Sequence, residues 1–280
     1  MPVTYSSPFP LLDCAQVEAL LRESKKPKSV VPGDMFLESV KRNYGALTVP
    51  LTNIFNATCV GRAWPSAWKV EYQTCIPKKT CPESVGDLRN ISCTNFFSKV
   101  LELFVLRTAR GFIKLRGNQY GGEPGVSMTH MLVDIWSKIT EDLEDNRAVS
   151  TVTAIDYSKA FNHLQHLPCL QAMARMNAPT ELIALVAWFL HGRRMTVRLG
   201  AVQSVLLPVN AGAPQGSVLE SLLFNIGTDD LDTVFDPSSA LAPRDPETQP
   251  DCSSATSSPA PNRNHLLLFN PASPHCMEAR

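Results

Sequence analysis

The 280-residue sequence lacks net charge, closely paired cysteines and any apolar run long enough to cross a membrane. Lysine plus arginine total 26, as do aspartate plus glutamate, so the formal net charge is zero. The eight cysteines never occur as Cys-x-x-Cys, a spacing that fits neither a zinc ribbon nor a dense disulfide framework. The N-terminus shows no signal-peptide pattern. We therefore expect an intracellular protein, cytoplasmic or nuclear and not secreted, with reduced thiols and no membrane contact.

The charges that are present are unevenly distributed along the chain. Residues 1–219 carry 23 basic against 17 acidic side chains, whereas residues 220–280 carry 3 against 9. A basic body suits contact with a polyanion, although the excess is mild and is also typical of an ordinary soluble surface. With 44% hydrophobic residues, the chain can bury a real core.

Apolar periodicity divides the chain into helices, strands and a tail. A capping-box pattern at Asp13 and Gln16 predicts the start of a helix, and strands are predicted at 69–76 and 149–156. Further helices are predicted at 35–44, 50–61, 95–110, 127–145, 163–176, 179–190 and 217–226, with a β-hairpin over 194–209. Six Pro and six Ser among residues 237–263 predict a disordered tail, and the apolar patch 265–269 has no evident neighbours to pack on.

Two segments carry residues suited to chemistry. The β-branched strand at 149–156 ends in Asp156, and a carboxylate at a strand end is a natural ligand for Mg²⁺. About fifty residues later, the turn 212–217 is rich in Gly and Pro, which lets backbone approach a ligand closely. A single aspartate that closes a strand is also typical of a cap or turn residue, so these residues alone leave both interpretations open.

Read in order, the motifs resemble the polymerase domain of reverse transcriptases from non-LTR (LINE-type) retrotransposons. The similarity runs from about residue 16 to about residue 233. It is carried by both segments above and by 50–56, Trp64-Pro65, Trp68-Lys69, Ile76-Pro77-Lys78-Lys79, 87–92, Ser98-Lys99-Val100-Leu101-Glu102 and 118–122. Each piece is weak alone, but their order and spacing together are specific.

The resemblance implies an α+β fold shaped like a right hand. It would comprise polymerase-like fingers over residues 1–148, a partial palm over 149–236, and the disordered Pro/Ser-rich tail over 237–280. The sheet is expected to be mainly antiparallel, with helices packed on one face. The implied activity is RNA-directed DNA polymerisation, with an RNA template, a DNA primer and deoxynucleoside triphosphates (dNTPs) as partners; no oligomeric state is indicated.

The family's chemistry also implies roles for individual residues. Asp156 would be a catalytic carboxylate and ligand of Mg²⁺, two ions of which serve nucleotide addition. Arg89, with Lys78 or Lys79, would face the triphosphate. Phe161 would stack under the sugar of the incoming nucleotide, although an aromatic residue there is by itself also typical of a core.

The implied template contact is the turn after the second motif. Gln215 and Gly216 would support the template strand or the incoming base pair. Glu220 stands in the following helix where this family usually has small or apolar residues.

The second carboxylate pair of the family is not evident. Asp229 and Asp230 lie only 13 residues after Gly216 and follow an apolar helix directly, without the expected strand. We therefore expect a domain truncated before the catalytic Asp-Asp hairpin and inactive alone. The alternatives are a remnant that binds RNA or RNA/DNA hybrid, and a non-functional product of a decayed element; a scaffold role for the tail rests on composition only.

Overall fold

The structure, a computed structural model, describes residues 9–24, 31–32, 34–35, 37–116, 119–144, 149–156, 160–200, 202–231 and 262–269. Within 149–156 and 262–269 it describes the backbone and, of the side chains, only that of Val152. The described residues form nine α-helices, two short 3₁₀ helices and seven strands, which confirms the α+β class. They divide into two units: Met1–Lys114 with Lys159–Gly227, and Leu115–Ser158 with Thr228–Arg280.

The first unit is mainly helical. Its helices are α1 (Cys14–Glu23), α2 (Leu37–Arg42), α3 (Tyr44–Gly61), α4 (Phe96–Phe112), α6 (Ala160–His163), α7 (His166–Arg175), α8 (Thr180–Leu190) and α9 (Glu220–Thr228), of which the last reaches one residue beyond the unit. Two 3₁₀ helices, Ser66–Lys69 and Val85–Asp87, lie between them. All predicted helices of this unit are present, with α3 beginning earlier than expected.

Helix starts in this unit follow from local polar residues. The predicted capping box forms at α1, where Asp13 accepts from the Gln16 backbone N–H at 2.7 Å and the Gln16 side chain accepts in return. At α4 the Asn95 side chain caps the first turn, and Asp34 accepts from the Phe96 N–H at 3.1 Å. These contacts satisfy backbone donors that a helix leaves without internal partners.

The sheet of the first unit is mixed. Its strands are β1 (Val70–Pro77), β2 (Leu88–Cys93), β4 (Arg193–Leu199), β5 (Val202–Gln203) and β6 (Leu207–Val209). Strand β1 pairs antiparallel with β2 and parallel with β4, and β4 pairs antiparallel with both β5 and β6. The predicted hairpin is confirmed, with its second strand interrupted at 204–206. Three of these four pairings are antiparallel, as predicted. The β1–β4 pairing is parallel, because a long crossover connects these two strands.

Strand β2 has no counterpart among the sequence predictions. Its residues Leu-Arg-Asn-Ile-Ser-Cys lack a clean alternation of apolar and polar side chains. The antiparallel register pairs Ile76 with Arg89 and Pro77 with Leu88, so residues 78–87 form the connecting loop of a β1–β2 hairpin. This hairpin brings the start of β2 next to the end of β1.

The second unit contains one long helix and a two-stranded sheet. Helix α5 (Met128–Glu144) exposes Leu132, Trp136 and Leu143 among its apolar residues. Strand β3 (Val149–Asp156), predicted from its β-branched run, pairs in parallel along its length with β7 (Asn262–Phe269). The apolar patch at 265–269 therefore has a backbone partner, contrary to expectation, because parallel pairing unites strands that are distant in sequence.

The structure leaves two fold predictions untested, the disorder of most of the tail and the assignment to fingers and palm. Apart from 262–269, the predicted tail at 237–280 lies outside the described residues. The assignment to fingers and palm, with boundaries at 148 and 236, stays a prediction. No helix among the described residues has the length and apolarity of a membrane span.

Candidate functional site

The 212–217 turn is packed tightly against the segment that carries Phe161. Gly212 donates to the Leu164 carbonyl at 2.7 Å, and Ala213 donates to the Phe161 carbonyl at 3.0 Å. Gly212 has φ +87, and a Cβ atom there would lie 2.9 Å from the Phe161 carbonyl oxygen. Only glycine fits this approach, so the sequence places the turn beside α6.

The other side of the turn is attached to β2. The Ser92 N–H donates to the Gln215 carbonyl at 2.8 Å. Gly216 has φ +109, and a Cβ atom there would lie 2.9 Å from the Ser92 carbonyl oxygen. The Gln215 side chain is half-buried and forms no hydrogen bond to any described residue. The backbone of the turn is therefore bonded to neighbouring elements, while the side-chain amide of Gln215 is available to bind another molecule.

The three predicted phosphate-binding cations lie at one end of the β1–β2 hairpin, but they differ in their contacts. Lys78 donates through Nζ to the Gly86 carbonyl at 2.9 Å. Lys79 pairs with Asp87, with 3.2 Å between Nζ and a carboxylate oxygen. Arg89 is exposed, and its side chain makes no hydrogen bond or ion pair with any described residue. Of the three, Arg89 is the cation best able to bind an added anion.

The loop that carries the lysines is organised by Asp87. Its carboxylate accepts from the backbone N–H groups of Glu83 and Ser84, at 3.0 and 2.9 Å. These two donors, with smaller contributions from Lys79 and the Ser84 hydroxyl, lower the pKa of Asp87. The carboxylate stays ionised and competes with any phosphate for Lys79.

Phe161 lies in the core of the first unit. Its side chain is 4% exposed, and its ring contacts that of Phe224 in α9 with 5.1 Å between centroids. The burial favours the alternative interpretation of this residue as a core aromatic. Its backbone nevertheless contacts the turn, so Phe161 and Gln215 belong to one packed region. A contact with the sugar stays a prediction.

Asp156 ends β3, as predicted, in the second unit. Its side chain lies outside the described part of the structure, so its role as a metal ligand stays a prediction. Among the side chains that are described, no three of His, Cys, Asp or Glu lie close enough together to hold a metal ion.

Asp229 is held by another residue of the second unit. It accepts from the backbone N–H of Arg116 at 2.9 Å, and its carboxylate lies 3.6 Å from the Arg116 guanidinium. A carboxylate with these partners is neutralised locally. These contacts hold the Asp229 carboxylate in place, and its exclusion from a catalytic pair stays a prediction.

Two buried glutamates contact the backbone around the turn. Glu220 accepts from the Gly216 N–H at 2.5 Å, and Glu102 in α4 accepts from the Val218 N–H at 2.7 Å. The second oxygen of Glu102 accepts from the Ser98 hydroxyl at 2.8 Å. Both glutamates are at most 3% exposed. They fix the backbone on either side of Ser217.

A third buried glutamate, Glu71 in β1, is balanced by a buried cation. The Arg193 Nε donates to Glu71 at 2.7 Å, and the Ser92 hydroxyl donates to its other oxygen at 3.1 Å. The Arg193 side chain is fully buried and also donates to the Phe189 carbonyl at 3.3 Å. Since Ser92 binds Gln215 as well, this ion pair is connected to the turn.

Glu220, in contrast, forms no ion pair with any described residue. Burial raises the pKa of Glu220 from 4.5 to about 8. The Gly216 N–H and the charge of Lys99 act to lower this pKa, whereas the charges of Glu102 and Glu71 raise it further. Its Oε1 atom is buried and has no hydrogen-bond partner among the described residues. An unpaired buried oxygen is far less costly on a neutral acid than on a carboxylate, so Glu220 holds a proton at neutral pH.

Two side chains of α7, those of His166 and Cys169, make structural contacts. Nε2 of His166 donates to the Gly212 carbonyl at 2.8 Å, and Sγ of Cys169 lies 3.4 Å from the Leu223 carbonyl oxygen. Burial raises the pKa of Cys169 to about 12, so it stays a thiol. These contacts join α7 to the turn and to α9.

The sequence did not predict the polar framework behind the turn, by which we mean the buried residues Glu71, Ser98, Glu102, Arg193 and Glu220. Glu71, Glu102 and Arg193 are charged side chains within elements that otherwise read as amphipathic, and their burial leaves no periodic signal. Two signals in the sequence could have indicated parts of this framework. Ser98 and Glu102 are four residues apart within one of the motifs that carry the resemblance, and Glu220 stands where small or apolar residues are usual in the family that the sequence resembles.

The comparison with known families covers most of this framework. Residues 76–240 match the family described as "Reverse transcriptase (RNA-dependent DNA polymerase)". The match includes the hairpin cations, the aspartate strand, Phe161 and the turn, while Glu71 precedes it.

Three curated proteins of Drosophila melanogaster are similar over a longer stretch. The probable RNA-directed DNA polymerase from transposon X-element is 27% identical over 82% of this chain and 25% of its own length. The polymerase from mobile element jockey is 27% identical over 83% of this chain and 26% of its own. The probable polymerase from transposon BS is 27% identical over 65% and 20%. The chain thus spans about a quarter or less of these relatives.

Proposed function

Because the family match covers more than half of its length, the chain belongs to the reverse transcriptase (RNA-dependent DNA polymerase) family, and we propose that it acts in RNA-templated DNA synthesis. The predicted resemblance to reverse transcriptases of non-LTR retrotransposons is confirmed by this match and by the transposon polymerases similar to it. The family acts on a template–primer and dNTPs, which are the proposed partners here.

One observation carries the proposal. The 212–217 turn is hydrogen bonded on one side to the Phe161 segment and on the other to β2, which contains Arg89. Three motifs that are far apart in sequence are thereby joined within one packed unit. A template base at Gln215 and a triphosphate at Arg89 would then be bound by neighbouring parts of the same framework.

Each proposed contact has a chemical reason. Arg89 offers a planar guanidinium with no competing partner among the described residues, which suits bidentate binding of phosphate oxygens. Lys78 and Lys79 would contribute positive charge once they exchange their present partners for phosphate. Gln215 and Gly216 would support the template strand through an amide side chain and a closely approachable backbone.

Asp156 is the proposed ligand of Mg²⁺. Carboxylate oxygens are the donors that this hard cation prefers, so the residue type fits the ion. When bound in this family, Mg²⁺ activates the primer hydroxyl and neutralises the triphosphate. One carboxylate makes a weak site for Mg²⁺, and Asp229 is held by Arg116. We propose that the 280 residues alone do not polymerise and that activity needs carboxylates from outside them.

Binding of a labelled RNA/DNA template–primer by the purified chain tests the substrate role. Fluorescence anisotropy should show affinity that falls steeply with salt, because phosphate contacts release counterions. Arg89→Ala should weaken binding in the presence of dNTP, whereas Lys41→Ala, on α2, should leave it unchanged. Equal loss from both variants would contradict the assignment. Salt-dependent binding without any effect of dNTP would favour the alternative of a nucleic-acid-binding remnant.

Primer extension on an RNA template tests the second part of the proposal. The chain alone should add no nucleotide, and Asp156→Ala should behave identically. Incorporation that depends on Asp156 would show that these 280 residues suffice for catalysis.

A further inference from the structure

The backbone around Gln215 is held by two carboxyl groups from different helices. Oε2 of Glu220, the first residue of α9, lies 2.5 Å from the Gly216 nitrogen. Oε2 of Glu102, in the middle of α4, lies 2.7 Å from the Val218 nitrogen. Neither donor has another acceptor in the described hydrogen-bond network. The two side chains therefore restrain the chain immediately after Gln215.

Both glutamates are themselves held in place. Glu102 accepts from Ser98, whose hydroxyl also accepts from the Trp64 indole N–H at 3.1 Å. Glu220 is fixed by its position at the start of α9 and by burial, with 3% of its surface exposed. A buried charged or acidic group is costly, so its retention calls for a compensating role. The hydrogen bonds to the turn supply such a role.

We propose that Glu102 and Glu220 are positioning residues, which set the backbone of the 212–217 turn and so direct the Gln215 side chain toward the template strand. The inference rests on the proposed function for its last step and deepens it. Neither glutamate would contact the substrate. They act through the Gly216 and Val218 N–H groups, while Ser92 restrains the turn from the side of β2.

The charged groups around Glu220 make the two glutamates unequal. Glu102 and Lys99 face it from α4, Glu71 faces it from β1, and Arg193 in β4 neutralises Glu71. Burial disfavours a charged carboxylate, and Glu220 is the acid whose second oxygen, Oε1, is buried without a hydrogen-bond partner among the described residues, so Glu220 keeps its proton. The Gly216 N–H then bonds to a neutral acid, which a glutamine can mimic.

Amide hydrogen exchange in the ¹⁵N-labelled full chain tests the positioning role. Glu220→Ala removes the acceptor, so exchange at Gly216 should accelerate roughly tenfold, the effect of losing about 1.4 kcal/mol of hydrogen bonding. Glu220→Gln keeps an acceptor and should retain protection. The Ile113 amide, bonded to Ala109 at 2.8 Å at the end of α4, is the internal reference. Glu102→Gln and Glu102→Ala give the matched pair for Val218.

The template–primer affinity of the same variants tests the consequence. Glu220→Ala should weaken hybrid binding, and Glu220→Gln should restore it. Faster exchange at all amides, including Ile113, would show a general loss of stability and overturn the inference. Faster exchange at Gly216 with unchanged affinity would overturn the link to the template. If the wild-type chain binds no hybrid, the proposed function fails, while the exchange experiment still decides whether the glutamates fix the turn.

Discussion

The 212–217 turn and the loop of the β1–β2 hairpin both carry predicted substrate contacts, yet they are stabilised in opposite ways. The turn is bonded to β2, α4, α6 and α9 by contacts that span much of the chain. The hairpin loop is held by short-range contacts of its own, such as Asp87 to Ser84 and Lys79. One region is a buried framework and the other is an exposed set of cations.

Because of this difference, we expect substitutions in the two regions to change different quantities: the free energy of unfolding in one region and the affinity for substrate in the other. A substitution in the framework should lower the free energy of unfolding, because it leaves a buried polar group without its partner. A substitution among the exposed cations should change affinity for phosphate and leave stability nearly constant.

Arg193→Met should be the most damaging framework substitution. It leaves Glu71 buried without its cation, which we expect to reduce the free energy of unfolding by about 3–5 kcal/mol. Denaturant titration measures the loss. The double variant Glu71→Gln with Arg193→Met removes both charges and should lose less. A single-variant loss below about 1 kcal/mol would show that the pair is not part of the framework.

Gly216→Ala should destabilise through sterics. The residue has φ +109, and the added Cβ would meet the Ser92 carbonyl oxygen at 2.9 Å, so we expect a loss of about 2 kcal/mol. Gly111→Ala, inside α4 with no atom within 4 Å of the new Cβ, is the matched control and should be neutral or stabilising. Equal thermal shifts in both variants would contradict the close approach of turn and β2.

Glu220 should make stability depend on pH. Its pKa rises from 4.5 to about 8 on folding, so between these values the native state keeps a proton that the unfolded chain has lost. The free energy of unfolding should therefore fall as pH rises through this window, by about 1.4 kcal/mol per pH unit. Glu220→Gln should flatten the profile. Parallel wild-type and variant curves would show that Glu220 is ionised throughout.

Arg89→Ala should have the smallest effect on stability. The side chain is exposed and unpaired among the described residues, so the change should stay within about 0.5 kcal/mol. Its effect on dNTP-dependent binding should exceed that of Lys78→Ala, whose Nζ is already bonded to Gly86. A larger effect from Lys78→Ala would reverse the ranking of these cations.

Much of the framework's outline could be predicted from the sequence, because it depends on local patterns. The capping box at Asp13 and the β-branched strand ending at Asp156 were predicted at the residues where they occur, and the hairpin begins one residue earlier than predicted. Family motifs also indicated the turn and its glycines. Each of these features is specified by residues that are close to one another in the sequence.

The parts that could not be predicted depend on partners distant in sequence. Strand β2 is stabilised by pairing with β1 and not by its own composition. Strand β7 gains its partner, β3, from more than a hundred residues away. Glu102 and Glu220 are buried because their helices pack against other elements. No alternation of apolar and polar residues predicts this burial.

Template–primer affinity measured with each of the four dNTPs tests whether template and nucleotide bind at one site. If Gln215 and Arg89 bind template and triphosphate on one framework, the dNTP complementary to the next template base should tighten binding, and the other three should not. Arg89→Ala should abolish the difference while the protein stays folded. Equal affinity with all four dNTPs in the wild-type chain would contradict a shared template and nucleotide site.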